Sequence, residues 1–255
     1  MNVNKADPAR AAAGRRTIDE ARATADRLAD PHLAGLTTIL GGVAAMNHGE
    51  WSRTLRLVEA GAARLRAANV TDDTWERGIS HSMALHALLM LGDFPALRAR
   101  ADRMHRDAED AGDRFAAVVA ILYLAHATLA AGDPDGARGH VRRALSMWTY
   151  DRFSFQHWLA LGVEVGCDLY QGRGAAAWRR VTAAWPALHR SQLLRMQVPR
   201  IDAHLLRAER EVEDKLEPLL FERQIALDEA TKSPFERRRS RASRARPEAP
   251  PRCAM

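Results

Sequence analysis

The chain has 255 residues, of which 47% are hydrophobic and 6% aromatic, and its formal net charge is +6. Seven of its arginines fall within residues 237–255, so the rest of the chain carries equal numbers of basic and acidic side chains. A neutral body argues against binding to a nucleic-acid backbone. Two widely separated cysteines, Cys167 and Cys253, argue against a disulfide framework or a cysteine metal site.

The first part of the chain predicts three helices. Residues 1–9 are polar, lack the apolar core of a signal peptide, and are expected to be disordered. An amphipathic pattern predicts a helix from Arg10 to Ala29. Asp30, followed by a proline, is expected to cap a second helix that ends near Gly49. Trp51 begins the third helix.

The next two helices are bounded by the same kinds of residue. Asp73 or Thr74 can cap a helix that ends at Gly92, and Asp93 can cap its partner, which ends at Gly112. At each junction a glycine that ends one helix is followed by an acid that can begin the next.

The helix predicted from Phe115 to Ala131 carries no charged residue. A membrane span is one interpretation, but a span needs about 20 apolar residues. This stretch is shorter, and His126 and Thr128 interrupt it. We therefore expect an inner helix that its neighbours bury on several sides.

The last third of the chain continues the pattern and then loses it. Asp151 is predicted to cap the helix that follows it, and Ser191 to cap a further helix. Pro199 should kink or split that helix, because proline removes a backbone donor. Residues 211–232 are compatible with an irregular helix, and residues 233–255 are expected to form a disordered, arginine-rich tail.

Junction glycines recur at spacings of 43, 40 and 40 residues, at Gly49, Gly92, Gly132 and Gly172. A period in this range is typical of stacked helical hairpins. The sequence therefore predicts an all-α fold, a right-handed α-solenoid of about five hairpins over residues 10–210. The residues assigned to its structural junctions are Gly49, Trp51, Gly92, Asp93, Phe94, Gly132, Asp133, Pro134, Ala137, Ala144, Gly172 and Ala177.

The turn Gly92-Asp93-Phe94 and the small residues where paired helices cross resemble the tetratricopeptide repeat. The matching small residues are Gly42, Thr54 and Gly61 in the first hairpin, Ala125, Ala137 and Ala144 in the third, and Ala177 and Ala184 in the fourth. The departures are Leu85, Leu97 and Met104 in the second hairpin and Val165 in the fourth. The period of about 40 residues is also longer than the family's, which is about 34.

The order of landmarks along residues 15–210 resembles the C-terminal helical region of large bacterial serine/threonine protein kinases that carry an ATPase module. The landmarks are Trp51, Trp75-Glu76, Leu91 to Phe94, Ala111 to Asp113, Trp148, Gln156-His157, Leu169 to Gly172 and Trp185-Pro186. The resemblance implies regulation through protein contacts. The sequence has no glycine-rich loop with a following lysine, no His-Arg-Asp loop and no Asp-Phe-Gly.

Two motifs suggest chemistry but are better explained as junctions. Residues 172–177 match G-x-G-x-x-A, yet a dinucleotide site needs an acid about 20 residues further on, and none occurs between Asp168 and Asp202. Asp133 and Asp135 are similar to the start of a calcium loop, but Ala144 stands where the closing glutamate would fall. We expect helix caps in both places.

Isolated polar residues receive structural interpretations as well. His81 and His86 are five residues apart and would not stack on one helix face as metal ligands do. The pair Gln156-His157 favours packing and hydrogen bonding over ligand binding. Glu164 has apolar neighbours and is expected to pair with an arginine on an adjacent helix. Large aromatic residues expected to be mostly buried are Trp51, Trp75, Trp148, Trp158 and Trp185.

We therefore expect no catalytic residue, cofactor or metal, and a protein that binds another protein or peptide in a concave groove lined by the first helix of each hairpin. The expected setting is bacterial signalling in the cytoplasm. The alternative is a detached regulatory region of a serine/threonine kinase or of an ATPase-type transcription regulator. We expect no membrane partner, and a nucleic acid only through the arginine-rich tail.

Overall fold

The computed structural model describes residues 8–68, 74–204 and 206. These residues form helices and turns, with no strand among them. Along residues 8–190 the α-helices are α1 (Pro8–Leu28), α2 (Pro31–Asn47), α3 (Trp51–Ala67), α4 (Thr74–Leu91), α5 (Phe94–Ala111), α6 (Arg114–Ala130), α7 (Pro134–Met147), α8 (Phe155–Tyr170) and α9 (Gly174–Arg190). Predictions for Asp73, the Trp75 side chain and residues 211–255 lie outside the described residues.

The junctions share one backbone geometry. Their glycines have positive φ angles, which L-residues with a Cβ rarely adopt: 72° at Gly49, 71° at Gly92, 86° at Gly132 and 67° at Gly172. The amide after each glycine donates to the carbonyl five residues earlier, as from Asp133 to Thr128 at 3.2 Å. This is the Schellman arrangement, which satisfies a carbonyl at the end of a helix.

Aspartates start the next helix at two of these turns, after Gly92 and Gly132, and at a further turn after Gly112, which also has a positive φ angle. The Oδ1 atoms of Asp93, Asp113 and Asp133 accept hydrogen bonds from backbone amides three residues on, at 3.0, 3.0 and 2.8 Å. Asp30 accepts two such bonds at the start of α2, as the sequence predicts. A glycine and the acid after it thus end one helix and cap the next, which keeps the connection short.

The start of α8 differs from its prediction. The helix begins at Phe155, and its N-cap is Ser154, so the capping role predicted for Asp151 is wrong. The Ser154 amide donates to Nδ1 of His157 at 3.2 Å. The indole of Trp148 donates to the Ser154 hydroxyl at 3.1 Å. Both bonds favour the serine over the aspartate as the cap.

The segment after α9 also differs from its prediction. Ser191 lies at the end of α9, where its hydroxyl donates to the Leu188 carbonyl and accepts a hydrogen bond from the Leu193 amide, so it precedes a single 3-10 turn and not the predicted α-helix. A 3-10 turn at Leu193–Arg195 follows, and a new helix occupies residues 197–204. The predicted break is therefore present but precedes Pro199. The proline sits in the first turn of the new helix, where its missing amide has no intrahelical partner to lose.

Consecutive helices pack together as four hairpins, α2 with α3, α4 with α5, α6 with α7, and α8 with α9. The first helices of these hairpins (α2, α4, α6 and α8) also pack on one another in succession, and we call them the first-helix layer. The second helices pack on one another far less. The interpretation of α6 as an inner helix is confirmed, because α4, α5, α7 and α8 all pack against it. Its buried residues are Ala116 to Ala125, Ala127 and Thr128.

Within the described part of the chain, no helix is long and apolar enough to cross a membrane. The predicted burial of four tryptophans is confirmed. Trp158 is buried, with 6% of its surface exposed, and Trp51, Trp148 and Trp185 have most of their surface covered.

Replacing Ala144 by leucine should destabilise the protein by about 2 kcal/mol, because Ala144 is fully buried in α7 and additional methylenes would overpack the core. Ser146→Leu, at an exposed position in the same helix, should change stability by less than about 0.5 kcal/mol. Denaturant unfolding measures both. Equal midpoints for the two variants would contradict the close packing assigned to Ala144.

Candidate functional site

The predicted junction residues have structural surroundings. Ala137, Ala144 and Ala177 are buried inside the array, at 0, 0 and 4% exposure. The Trp51 indole lies edge-on to the His86 ring, with centroids 5.5 Å apart. The carbonyl of Pro134 accepts a weak hydrogen bond from the Cys167 thiol.

The G-x-G-x-x-A motif forms the turn between α8 and α9. Gly172 has the positive φ angle of the other junctions, Gly174 begins α9, and Ala177 is buried. At Asp133, one carboxylate oxygen is bonded to the Gly136 amide. Among the described residues, no group of three or more His, Cys, Asp or Glu side chains is placed to hold a metal ion.

The arginine partner predicted for Glu164 is confirmed, and it belongs to an ion-pair network. Arg138 on α7 donates to Glu164 at 2.8 Å and to Asp168 at 2.8 Å. Arg180 on α9 donates to Asp168 at 3.0 Å, and Arg173 lies 3.1 Å from the same carboxylate. The network therefore ties α7, α8 and α9 together.

Asp168 is the centre of this network, with 3% of its side chain exposed. Burial alone would raise the pKa of its carboxyl group, but hydrogen bonds from Arg138 and Arg180 hold that pKa below its ordinary value. The carboxylate stays ionised at neutral pH. Because its oxygens are already engaged by arginines, the arrangement is structural.

A buried polar cluster lies on the first-helix layer, where the sequence had indicated only separate histidines. The fully buried Tyr123 has its hydroxyl 3.4 Å from Nδ1 of His86, one hairpin earlier. The His126 ring lies beside Tyr123, with centroids 6.2 Å apart. Burial lowers the pKa values of His86 and His126 to about 4, and raises that of Tyr123.

One signal in the sequence could have found this cluster. His86 stands six residues before Gly92, and His126 stands six residues before Gly132. The two histidines therefore hold the same register in consecutive hairpins. Equivalent positions in stacked repeats lie side by side, so this shared register predicts that His86 and His126 lie close together. The spacing of His81 and His86 along one helix does not predict that contact.

The helix at residues 197–204 returns to the first-helix layer, and we call residues 193–204 the return segment. The side-chain amide of Gln197 donates to the carbonyl of Asn47, the last residue of α2, at 2.7 Å. Asp202 is close enough for its charge to raise the pKa of Tyr123 on α6. Burial raises the pKa of Asp202 itself to about 6.

The other end of the return segment rests on α8 and α9. Ala203 is 1% exposed and belongs to the hydrophobic cluster that includes Trp158, Val165 and Ala177. The His204 ring packs edge-on against the Trp185 indole, with centroids 6.3 Å apart. The segment therefore contacts helices from the first and fourth hairpins.

A cavity of about 280 Å³ opens between α3, α4 and α5. Its charged lining contains both signs, and Arg100 already pairs with Glu59 at 2.6 Å. Mixed charge of this kind does not select a ligand. The residues that line it are Glu59, Ala62, Arg66, His81, Arg100, Arg103, Met104 and Asp107.

The fold alone gives the class of protein. It is an all-α chain whose consecutive helices pack in pairs, which is compatible with a helical repeat. Comparison of the chain with protein-family models, with curated proteins and with solved structures finds no match.

The buried histidines should make stability depend on pH. Their pKa values are about 4 in the folded protein against 6.5 ordinarily, so their stabilisation is complete above pH 6.5 and is lost as the pH falls toward 4. Asp202, with its raised pKa, acts in the opposite direction, losing stability as the pH rises through 6. We expect a net loss of about 2 kcal/mol between pH 7 and pH 5.

Urea unfolding at several pH values measures this loss. The double variant His86→Gln/His126→Gln should flatten the profile, whereas His189→Gln, at an exposed position on α9, should leave it unchanged. A profile as steep in the double variant as in the parent would show that other groups cause the loss.

Proposed function

We propose that this chain is a non-catalytic scaffold of tetratricopeptide-like repeats that binds a partner protein or peptide on its first-helix layer. One observation carries the proposal: α2, α4, α6 and α8 pack on one another in succession, so they present one continuous layer that spans four hairpins. Extended surfaces of this kind are what helical repeats use to bind partners.

Two features support a superhelical stack with this layer on its concave side. The junction glycines are spaced by 40 to 43 residues and share one backbone geometry. Equal units joined in the same way repeat the same rotation, which gives a curved stack. In a curved stack the inner side is the shorter one, so its helices lie closer together. Because the helices of the first-helix layer pack on one another directly, we assign that layer to the inner side. We propose a right-handed stack, as in the tetratricopeptide family.

The described acids support a structural and not a catalytic use of side chains. Asp93, Asp113 and Asp133 cap helices. Glu164 and Asp168 pair with arginines. The resemblance to kinase C-terminal regions makes a bacterial serine/threonine kinase or an ATPase-type regulator the first partner to test, with the chain as its regulatory arm.

The test is capture of partners from the source lysate by immobilised chain variants. Ala130→Arg places a long cation on the first-helix layer, at an exposed position four residues after His126 and therefore on the same helix face. Ala183→Arg places the same side chain at an exposed position on α9, in the second-helix layer. Matched thermal midpoints show that both variants fold.

A partner that binds the parent and Ala183→Arg, and whose Kd rises at least tenfold with Ala130→Arg in calorimetry with purified proteins, supports the proposal. Equal binding by the two variants places the partner elsewhere and contradicts it. ATP turnover by the purified chain, which separates a scaffold from an enzyme, contradicts it as well.

A further inference from the structure

We propose that the return segment, residues 193–204, is an intramolecular occupant of the partner surface, and that a partner helix must displace it to bind. This inference rests on the proposed function, because it assigns a regulatory state to the same surface. The class of partner follows from the segment itself: a short amphipathic helix that carries a carboxylate.

The first step is the position of the segment. Gln197 bonds to Asn47 at the end of α2, Ala203 belongs to the hydrophobic cluster around Trp158 on α8, and the charge of Asp202 acts on Tyr123 in the middle of α6. These are three of the four helices of the first-helix layer. A partner helix seated on the same layer would meet the segment, so both cannot occupy the surface together.

The second step is that these contacts are specific. A carbonyl at the end of a helix lacks an intrahelical donor, and the Gln197 amide supplies one to Asn47. Pro199 and Ala203 are buried, whereas Met196 and Ile201 are about half exposed. The helix therefore has a docked side and a solvent side, as an amphipathic ligand in a groove does.

The third step is that the segment can leave without unfolding the array. Gln192 has a φ angle of 70°, in the left-handed region that non-glycine residues rarely adopt. Met196 is extended, and only a 3-10 turn lies between them. The helix at 197–204 is thus a separate piece from α9. Undocking exposes one small helix, and such local openings cost less free energy than global unfolding.

The fourth step concerns the chemistry that the surface accepts. The docked side presents a primary amide at Gln197, then a carboxyl group at Asp202 and a methyl group at Ala203. The charge of Asp202 acts on Tyr123 of α6, whose hydroxyl lies 3.4 Å from Nδ1 of His86 on α4 and whose ring lies beside that of His126. A partner helix with a carboxylate next to a small residue would meet the same groups.

The test uses the full chain and a fluorescent synthetic peptide with the sequence of residues 191–206. Ala203→Arg replaces a buried methyl group and should release the segment. Ile201→Arg puts the same charge on the exposed side of the same helix and should not. When the segment is docked in most molecules, only a small fraction of them can bind the peptide, and the apparent affinity for the peptide falls by that fraction. The peptide should therefore bind Ala203→Arg about tenfold or more tightly than the parent or Ile201→Arg.

A milder variant guards against misfolding. Gln197→Ala removes one hydrogen bond and should shift the peptide affinity in the same direction by a smaller factor. Faster hydrogen exchange confined to residues 193–204 should accompany both releasing variants. Equal peptide affinities across all four chains, or unchanged exchange in this segment, would overturn the inference.

The peptide assay needs no natural partner, so the two proposals fail in different ways. If Ala203→Arg binds the peptide tightly while no protein distinguishes Ala130→Arg from Ala183→Arg, the segment occupies the surface but the scaffold function fails. If a partner depends on the surface but binds the parent and Ala203→Arg equally, the scaffold stands and the regulation is overturned.

Discussion

Replacing Asp168 by alanine is expected to destabilise the protein by about 3 to 5 kcal/mol, the range found when one partner of a buried ion pair is removed. Asp168 has 3% of its side chain exposed and accepts hydrogen bonds from Arg138 and Arg180. Without it, the guanidinium of Arg138, with 14% exposure, retains only Glu164 as an ionic partner. A buried charge then loses one of its two ionic partners.

The measurement is the free energy of unfolding in urea at pH 7. Arg173→Ala is the matched control, because Arg173 contacts the same carboxylate from a half-exposed position, where ion pairs contribute about 1 kcal/mol or less. A loss of less than about 1 kcal/mol for Asp168→Ala would show that Glu164 alone can compensate Arg138.

The location of the damage gives a second readout. The network joins α7, α8 and α9, which are the last described hairpin and the helix before it. In stacked repeats, stability is close to a sum over neighbouring units. Hydrogen exchange in Asp168→Ala should therefore accelerate most in α8 and α9, while α2 and α3 remain protected. Uniform acceleration would indicate that the array unfolds as one unit.

The junctions could be predicted from the sequence because their causes are local. A glycine such as Gly132 is needed where φ is positive, and the next residue, Asp133, caps the following helix through an amide three residues away. The burial of α6 could also be predicted, because a helix that is hydrophobic on every side must be covered by neighbouring helices. These features depend on a few adjacent residues and on hydrophobic pattern.

The start of α8 was harder because two residues compete for one role. Asp151 and Ser154 are both good caps by type. His157 and Trp148, each bonded to Ser154, decide between them. His157 lies three residues along the same helix, and the Trp148 contact depends on how the connection from α7 folds back. Sequence spacing alone does not rank the two candidates.

The position of the return segment on the array could not be predicted. Gln197 and Asn47 are 150 residues apart, and their contact depends on how four hairpins bring distant ends together. No local pattern records that geometry. The sequence predicts the break at Pro199, whereas the structure places it at residues 191–196, and only the fold shows where the helix after the break lies. That placement carries the proposal for regulation of the partner surface.

Gly61→Ala should destabilise the protein by about 3 kcal/mol, although alanine is the better helix former. A Cβ at position 61 of α3 would lie 2.6 Å from Cγ1 of Ile39, 2.8 Å from the carbonyl oxygen of Gly35 and 3.0 Å from the Ile39 amide nitrogen. Two of these atoms belong to the backbone of α2, so no side-chain rotation relieves the contact. The helices must separate.

Separation would loosen the residues that seal this crossing. Val58 and Leu65 are fully buried between α2 and α3, and the overpacking cost includes their lost contacts. Gly78→Ala in α4 makes the same chemical change where a Cβ meets nothing within 4 Å. It should stabilise the protein by about 0.5 to 1 kcal/mol, because alanine loses less conformational freedom than glycine on folding.

Urea unfolding should thus show that the same substitution, glycine to alanine, lowers the free energy of unfolding at position 61 and raises it at position 78. Intrinsic helix propensity acts on both alike, so the difference isolates the crossing of α2 and α3. If both variants were stabilised, the first hairpin would tolerate a wider separation than its glycines indicate. The small residues that the sequence matched to the tetratricopeptide pattern would then not be needed for close packing at this hairpin.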